Sequence, residues 1–162
     1  MSDAPLMLGV SGARGIVGKT MTEQVVRRFA ACWGARLVAD STSRPTVCLG
    51  RDTRPSGELF AVAAAAGLAG AGCNVIDLGV VATPTVGVMI GARQAQGGVV
   101  ITASHNPAQW NGLKLLDEFG TAPSPDLAAE VIKVFCSDHQ VEAAQTPGDI
   151  EIDVRATDTH VS

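Results

Sequence analysis

Tyrosine is absent from this 162-residue chain, and aromatic residues as a whole make up only 4% of it. Charged residues reach only 17%, the net charge is −4, and no long basic run occurs. Nucleic-acid surfaces need clustered cations, commonly interleaved with stacking rings, so no nucleic-acid partner is expected. A small anion is a different matter, because its site needs local charge and not a basic protein. Met1-Ser2-Asp3-Ala4-Pro5 shows no basic segment leading into an apolar core, so the expectation is a cytoplasmic protein without a secretory leader. The longest apolar run, residues 59–73, is rich in Ala and Gly and bounded by Glu58 and Asn74. That is too short to span a bilayer and reads as a packed core helix, so no membrane partner is expected. The four cysteines (Cys32, Cys48, Cys73 and Cys136) have apolar neighbours and no C-x-x-C spacing. They read as buried, reduced thiols and not as disulfides or zinc ligands.

What the chain does contain is a hydrophobic content of 46%, enough for one domain with a sizeable core. Residues 6–10 read as a strand, after which Gly9, Gly12, Gly15 and Gly18 recur every third position, as in a loop whose backbone approaches a ligand. A helical spacing runs over 22–39, with Thr22 as its N-cap. A short strand at 46–49 leads into the loop 50–57, then a helix at 58–71 closed by Gly72, a strand at 75–78, and a helix opened by Thr83-Pro84. Strands follow at 99–102 and 112–116, the latter with room to run in reverse, and a helix at 124–135 carries Pro125 in its first turn. Such alternation predicts an α/β fold: a three-layer α/β/α sandwich on a mostly parallel, mixed sheet. The Ala- and Gly-rich helices predict close approach more than bulky packing. Residues 1–140 are expected to form this unit. Residues 141–162 read as a polar tail and strand leading towards a second domain. In that tail Asp149, Glu151 and Asp153 alternate with Ile150, Ile152 and Val154, which in a strand puts the acids on one face. Without a loop to converge them they read as a solvated face, not a metal site.

The most informative stretch is Thr102-Ala103-Ser104-His105-Asn106-Pro107, running on to Asn111-Gly112-Leu113-Lys114. It follows the buried-strand run Gly97-Gly98-Val99-Val100-Ile101, and Pro107 forces the chain out of the sheet. Loops at the carboxyl ends of such strands are where open α/β sheets present their chemistry. A serine there, with a lysine ten residues on, suits a phosphoryl carrier, although Asn-Pro after a strand can equally mark a plain turn. At the other end, residues 13–20 fit a loose Walker A pattern closing on Gly18-Lys19-Thr20, with Ala13 in place of its first glycine. A P-loop nucleotide-binding domain is therefore the alternative reading. A serine hydrolase lacks its G-x-S-x-G elbow, and the glycines fall as G-x-x-G-x-x-G, which argues against a dinucleotide fold.

T-A-S-H-N-P with N-G-x-K resembles the phosphoserine loop of the α-D-phosphohexomutases, the phosphoglucomutase/phosphomannomutase family. Ser11-Gly12-Ala13-Arg14-Gly15 is similar to the family's S-G-x-R-G loop, Gly50 to Ser56 to its G-x-D-x-R-x-S stretch, and Asp77-Leu78-Gly79 with Thr83-Pro84 to its D-L-G…T-P stretch. The resemblance implies that Ser104 carries the phosphoryl group between C1 and C6 of a hexose phosphate through a bisphosphate intermediate. It implies that Lys114 acts as acid/base or clamp, that His105 orients phosphate or moves a proton, and that Arg14 and Asn106 contact phosphate oxygens. Arg51, Asp52 and Arg54 read as a bracing network without chemistry. Mg²⁺ would be the cofactor, bound to the phosphate on Ser104. The partners would be glucose, mannose or glucosamine phosphate and the remaining domains of the same enzyme. The family has four domains, and the chain shows no D-G-D-x-D-R, G-E-x-S-G-H or R-x-S-x-T-E-P segment, so it matches the first domain alone and is expected to be inactive by itself.

Overall fold

The alternation of apolar runs resolves into a seven-stranded sheet flanked by helices in the computed structural model, which describes residues 4–161. Met1-Ser2-Asp3, where the leader reading began, and Ser162 lie outside the described residues. In chain order the elements are β1 (Met7–Gly9), β2 (Gly12–Ile16), α1 (Glu23–Asp40), β3 (Thr46–Arg51), α2 (Gly57–Gly70), β4 (Asn74–Val80) and α3 (Thr83–Ala92). There follow β5 (Gly97–Ile101), β6 (Trp110–Leu116), α4 (Pro125–Cys136), β7 (Ile150–Ile152) and α5 (Ala156–Val161). The strands lie in the order β1-β2-β6-β5-β3-β4-β7. Pairing is parallel from β5 through β3 and β4 to β7, and antiparallel from β5 through β6 and β2 to β1.

Alternate residues of the central strands feed two cores. Val47, Leu49, Val75, Val99 and Ile101 pack with α1 and α2 on one face, whereas Cys48, Ile76 and Val100 pack with α3 on the other. The close approach expected of this composition is built partly by strand glycines. A Cβ at Gly50 would stand 2.6 Å from Val86, and one at Gly98 would stand 2.7 Å from Ile90, so α3 rests directly on backbone. Between α1 and α2, Gly67 lies against the carbonyl of Arg27. Thr22 caps α1, its hydroxyl accepting the Val25 N–H at 3.3 Å. Among the described residues, no helix is long and apolar enough to cross a membrane.

Three expectations need correction. The glycine-rich segment read as a loop is mostly strand: β1 and β2 form a hairpin, and β2 continues onto β6. Of its glycines Gly12 serves close strand approach, since a Cβ there would collide with the carbonyl of Leu113, whereas one at Gly15 would meet the Thr20 hydroxyl. The thiol of Cys136 is exposed at the end of α4, whereas Cys32, Cys48 and Cys73 are buried. Finally, the acids of the tail are not simply solvated. β7 is the edge strand beside β4, and the Arg93 guanidinium donates to Glu151 at 3.1 Å and to Asp153 at 2.6 Å.

Candidate active site

β5 ends at Ile101, and the chain leaves the sheet between β3 and β6. Thr102 still reaches β6, its N–H donating to Gly112 at 3.0 Å, while its hydroxyl donates to Asp52 Oδ2 at 2.7 Å. That hydroxyl oxygen also accepts the N–H of Ser104 at 3.0 Å. Ser104 is exposed and has φ +56°, the left-handed region that a serine rarely occupies. Such an angle costs about 1–2 kcal/mol for a residue with a Cβ. It persists because both flanks are held.

The second anchor is Arg54, from the loop after β3. Its Nε donates to Asp52 Oδ2 at 3.2 Å. Nη1 donates to the carbonyls of Pro107 (2.9 Å) and Trp110 (3.1 Å), and Nη2 to those of Ser104 (2.8 Å) and Asn106 (2.8 Å). Behind this clamp the fully buried Asn111 donates to Ser56 Oγ at 2.8 Å and accepts the Gly112 N–H at 2.8 Å. The serine loop is thus fastened to the loop after β3 at its root and along its backbone.

Cations arrive from the antiparallel half of the sheet. In the β2–β6 register Arg14 faces Gly112 and Lys114 faces Gly12, so both side chains leave the same face, diagonal to one another. Neither forms an ion pair among the described residues. With Ser11, Gly12, Thr102 and Ser104 they line a cavity of about 230 Å³. That falls below the roughly 300–1,000 Å³ of a site that encloses a whole small molecule, so it suits a single phosphate-sized group. A larger groove of about 690 Å³ between α1 and α4 is mainly apolar, and its Arg36 and Glu130 pair with one another at 2.7 Å.

The structure therefore brings together Ser104, Lys114 and Arg14, and leaves His105 and Asn106 off the cavity wall. His105 is exposed on the loop, and Asn106 is held through its backbone, its N–H donating to Ala103 at 3.1 Å. Thr102 and Ser11 are wall residues that pattern reading did not single out. Arg54 had been read as part of a brace, but its hold on four carbonyls could not be seen from spacing, because its partners lie about fifty residues away. Among the described residues no group of three or more His, Cys, Asp or Glu side chains is placed to hold a metal ion. Asp52, the carboxylate that accepts from the root of the loop, is committed to Thr102 and Arg54. These donors do not by themselves fit Mg²⁺, which asks for near-octahedral oxygen ligation.

The nucleotide-binding alternative fails on its backbone. A P-loop presents free N–H groups at a helix start. Here the N–H groups of Lys19, Thr20 and Met21 all donate to the carbonyl of Ile16, at 2.9–3.1 Å, and that of Gly18 to Met21 at 3.0 Å. The Thr20 hydroxyl accepts from Ile16 and donates to Ala4, and α1 begins only at Glu23. No cradle is left.

A family model described as "Phosphoglucomutase/phosphomannomutase, alpha/beta/alpha domain I" matches residues 5–142. A phosphoglucomutase/phosphomannomutase of Thermococcus kodakarensis is 39% identical over 132 residues, covering 82% of this chain and 29% of the relative. A phosphoglucosamine mutase of Clostridium acetobutylicum is 36% identical over 134 residues, covering 83% and 30%. The crystal structure of a phosphoglucomutase/phosphomannomutase family protein from Burkholderia thailandensis superposes with a TM-score of 0.78 at 28% identity, covering 94% of this chain and 35% of that one. The chain spans about a third of the length of the curated relatives it matches.

Proposed function

Since this chain belongs to the phosphoglucomutase/phosphomannomutase family as its α/β/α domain I, we propose that it supplies the phosphoserine of a phosphohexomutase, with Ser104 as the carrier. The observation that carries the reading is the cavity lined by Ser104 together with Arg14 and Lys114, two cations without an ion-pair partner among the described residues. Phosphoryl transfer asks little covalent chemistry of a protein and much positioning and charge neutralisation. A phosphoserine carries about −1.5 to −2 charge, which two cations on one sheet face offset.

In the reaction, the bond from Ser104 Oγ to phosphorus breaks as a free hydroxyl of a hexose monophosphate forms the new bond to phosphorus. The Lys114 ammonium gives a proton to the leaving serine oxygen and regains one from the attacking hydroxyl, so that its charge is restored at the end of the step. The product is a hexose bisphosphate and a free serine. After the sugar reorients, its other phosphoryl group returns to Ser104 Oγ. Arg14 holds phosphate oxygens through its planar fork. His105 is exposed on the same loop and off the cavity wall, so its part would be to meet phosphate or sugar outside the cavity, as would that of Asn106. The sugar-selecting residues and the magnesium ligands would belong to the remaining domains of the same enzyme. Which of glucose, mannose or glucosamine phosphate is used is set there.

Incubating the full-length enzyme with a glucose or glucosamine 1,6-bisphosphate and mapping the phosphopeptide by mass spectrometry tests the reading. Phosphate is expected on Ser104, and its appearance on another residue with Ser104 unmodified would refute the assignment.

A further inference from the structure

We propose that Arg54 is a positioning residue for phosphoryl transfer, acting through backbone carbonyls and not through phosphate. This inference rests on the reading of Ser104 as the carrier. A guanidinium has five N–H donors. All five are consumed here: one by the Asp52 carboxylate and four by the carbonyls of Ser104, Asn106, Pro107 and Trp110. The side chain is sunk to 11% exposure, so it has neither a donor nor a surface left for a ligand. What it does is fix the carbonyl side of Ser104 at 2.8 Å, while Thr102 Oγ1 fixes its N–H side at 3.0 Å. Both anchors refer to one carboxylate oxygen, since Asp52 Oδ2 accepts from Arg54 Nε and from Thr102 Oγ1. The angle of φ +56° at Ser104, and so the direction of its Oγ, is therefore set by the loop after β3.

A lysine cannot replace this arrangement. Its three donors radiate from one point, whereas the four carbonyls and the carboxylate are spread around a planar fork. Positive charge alone at this position is not enough. In-line transfer is sensitive to placement, and a displacement of about 1 Å costs on the order of a hundredfold in rate.

The experiment uses the full-length enzyme, wild type and with Arg54→Met and Arg54→Lys, and measures labelling of Ser104 by a hexose bisphosphate, kcat and KM, and the melting temperature. Wild type is expected to label on Ser104. Both variants are expected to lose roughly a hundredfold in labelling rate and in kcat, with KM for the hexose monophosphate changed less than about threefold. Hydrogen exchange across residues 102–110 is expected to quicken in both. Labelling at the wild-type rate in Arg54→Met, or full rescue by lysine, overturns the proposal while leaving Ser104 as carrier. Failure of wild type to label on Ser104 overturns the underlying reading instead. If Arg54→Met proves too unstable to purify, Thr102→Val cuts the opposite anchor with the same expected loss, and undiminished labelling there equally overturns the proposal.

Discussion

Ser104 occupies a left-handed backbone angle without being glycine, and this can be measured. Glycine adopts that angle freely, whereas alanine keeps the Cβ penalty of about 1–2 kcal/mol and loses the hydroxyl. Glycine also gains freedom in the unfolded chain, which takes back about 0.4–1 kcal/mol. Ser104→Gly is therefore expected to exceed Ser104→Ala in unfolding free energy by about 0.5–1 kcal/mol, read from denaturant midpoints, although neither accepts phosphate. Among the described residues Lys114 has no carboxylate partner to keep it for structural reasons. In the full-length enzyme, Lys114→Met is expected to lower turnover by about two powers of ten, with phosphate binding weakened far less; near-normal turnover would make it an ordinary strand lysine. The cysteines supply a third test at this scale. Burial pushes the thiols of Cys48 and Cys73 up to about 12 and raises that of Cys32, whereas Cys136 is exposed. A thiol reagent at neutral pH should modify Cys136 at once and the other three only on unfolding. Rapid reaction at two or more sites in the folded chain would contradict the buried placements.

Between elements, the pairing of β2 with β6 sets the spacing of the two cations. It depends on glycine in both strands: a Cβ at Gly112 would collide with the carbonyl of Ala13 and stand 2.9 Å from Arg14 Cα. Gly112→Ala is expected to cost about 1–3 kcal/mol of stability, measured by chemical denaturation, since backbone and not a flexible side chain must move. The outer edge gives a pH dependence. The Arg93 guanidinium donates to Asp153, and with the Arg155 N–H holds that carboxyl below the usual carboxylate range. A depressed pKa stabilises the fold at pH values above the unfolded value of about 4. That contribution is lost as pH falls through the lower, folded value. Protection of the β7 amides, taken relative to intrinsic exchange at the same pH, is therefore expected to fall below about pH 4, and Arg93→Gln to abolish that pH step; an unchanged profile in the variant would rule out the ion pair as its cause. The elements that were legible in the sequence are those with apolar runs or caps, such as β5, α1 with Thr22, and α4 with Pro125. β2 was not legible, because its glycines signal a loop in isolation. The reason for glycine at position 12 lies in β6, a hundred residues away.

For the whole molecule, the sheet's two cores predict that the 162-residue chain folds by itself, with one cooperative transition. It is expected not to turn over hexose phosphates, because the sequence shows none of the metal-, sugar- and phosphate-binding segments of the family's other domains. A coupled assay on the purified chain checks this, and multiple turnovers above a Ser104→Ala control would show that the site is complete without other domains. Local strings made Ser104, Lys114 and Arg14 readable as candidate site residues, and the fold brings the three to one cavity. The clamp by Arg54 was not readable, because it is a tertiary contact between segments that only the sheet brings together.

That contact has a consequence for how the domain comes to be active. Its partners are separated by 50–56 residues, with α2, β4 and α3 folded between them. Closing so long a loop costs chain entropy that only the completed β3–β5 pairing offsets. Arg54 can reach the carbonyls beside Ser104 only after that pairing exists. A newly made chain thus carries an ordinary flexible serine until its sheet is assembled, and only then acquires the held geometry at Ser104. If Ser104 is the carrier proposed above, its phosphorylation would mark finished folding, and during refolding its competence should appear with the slow formation of long-range structure, not with the early helices.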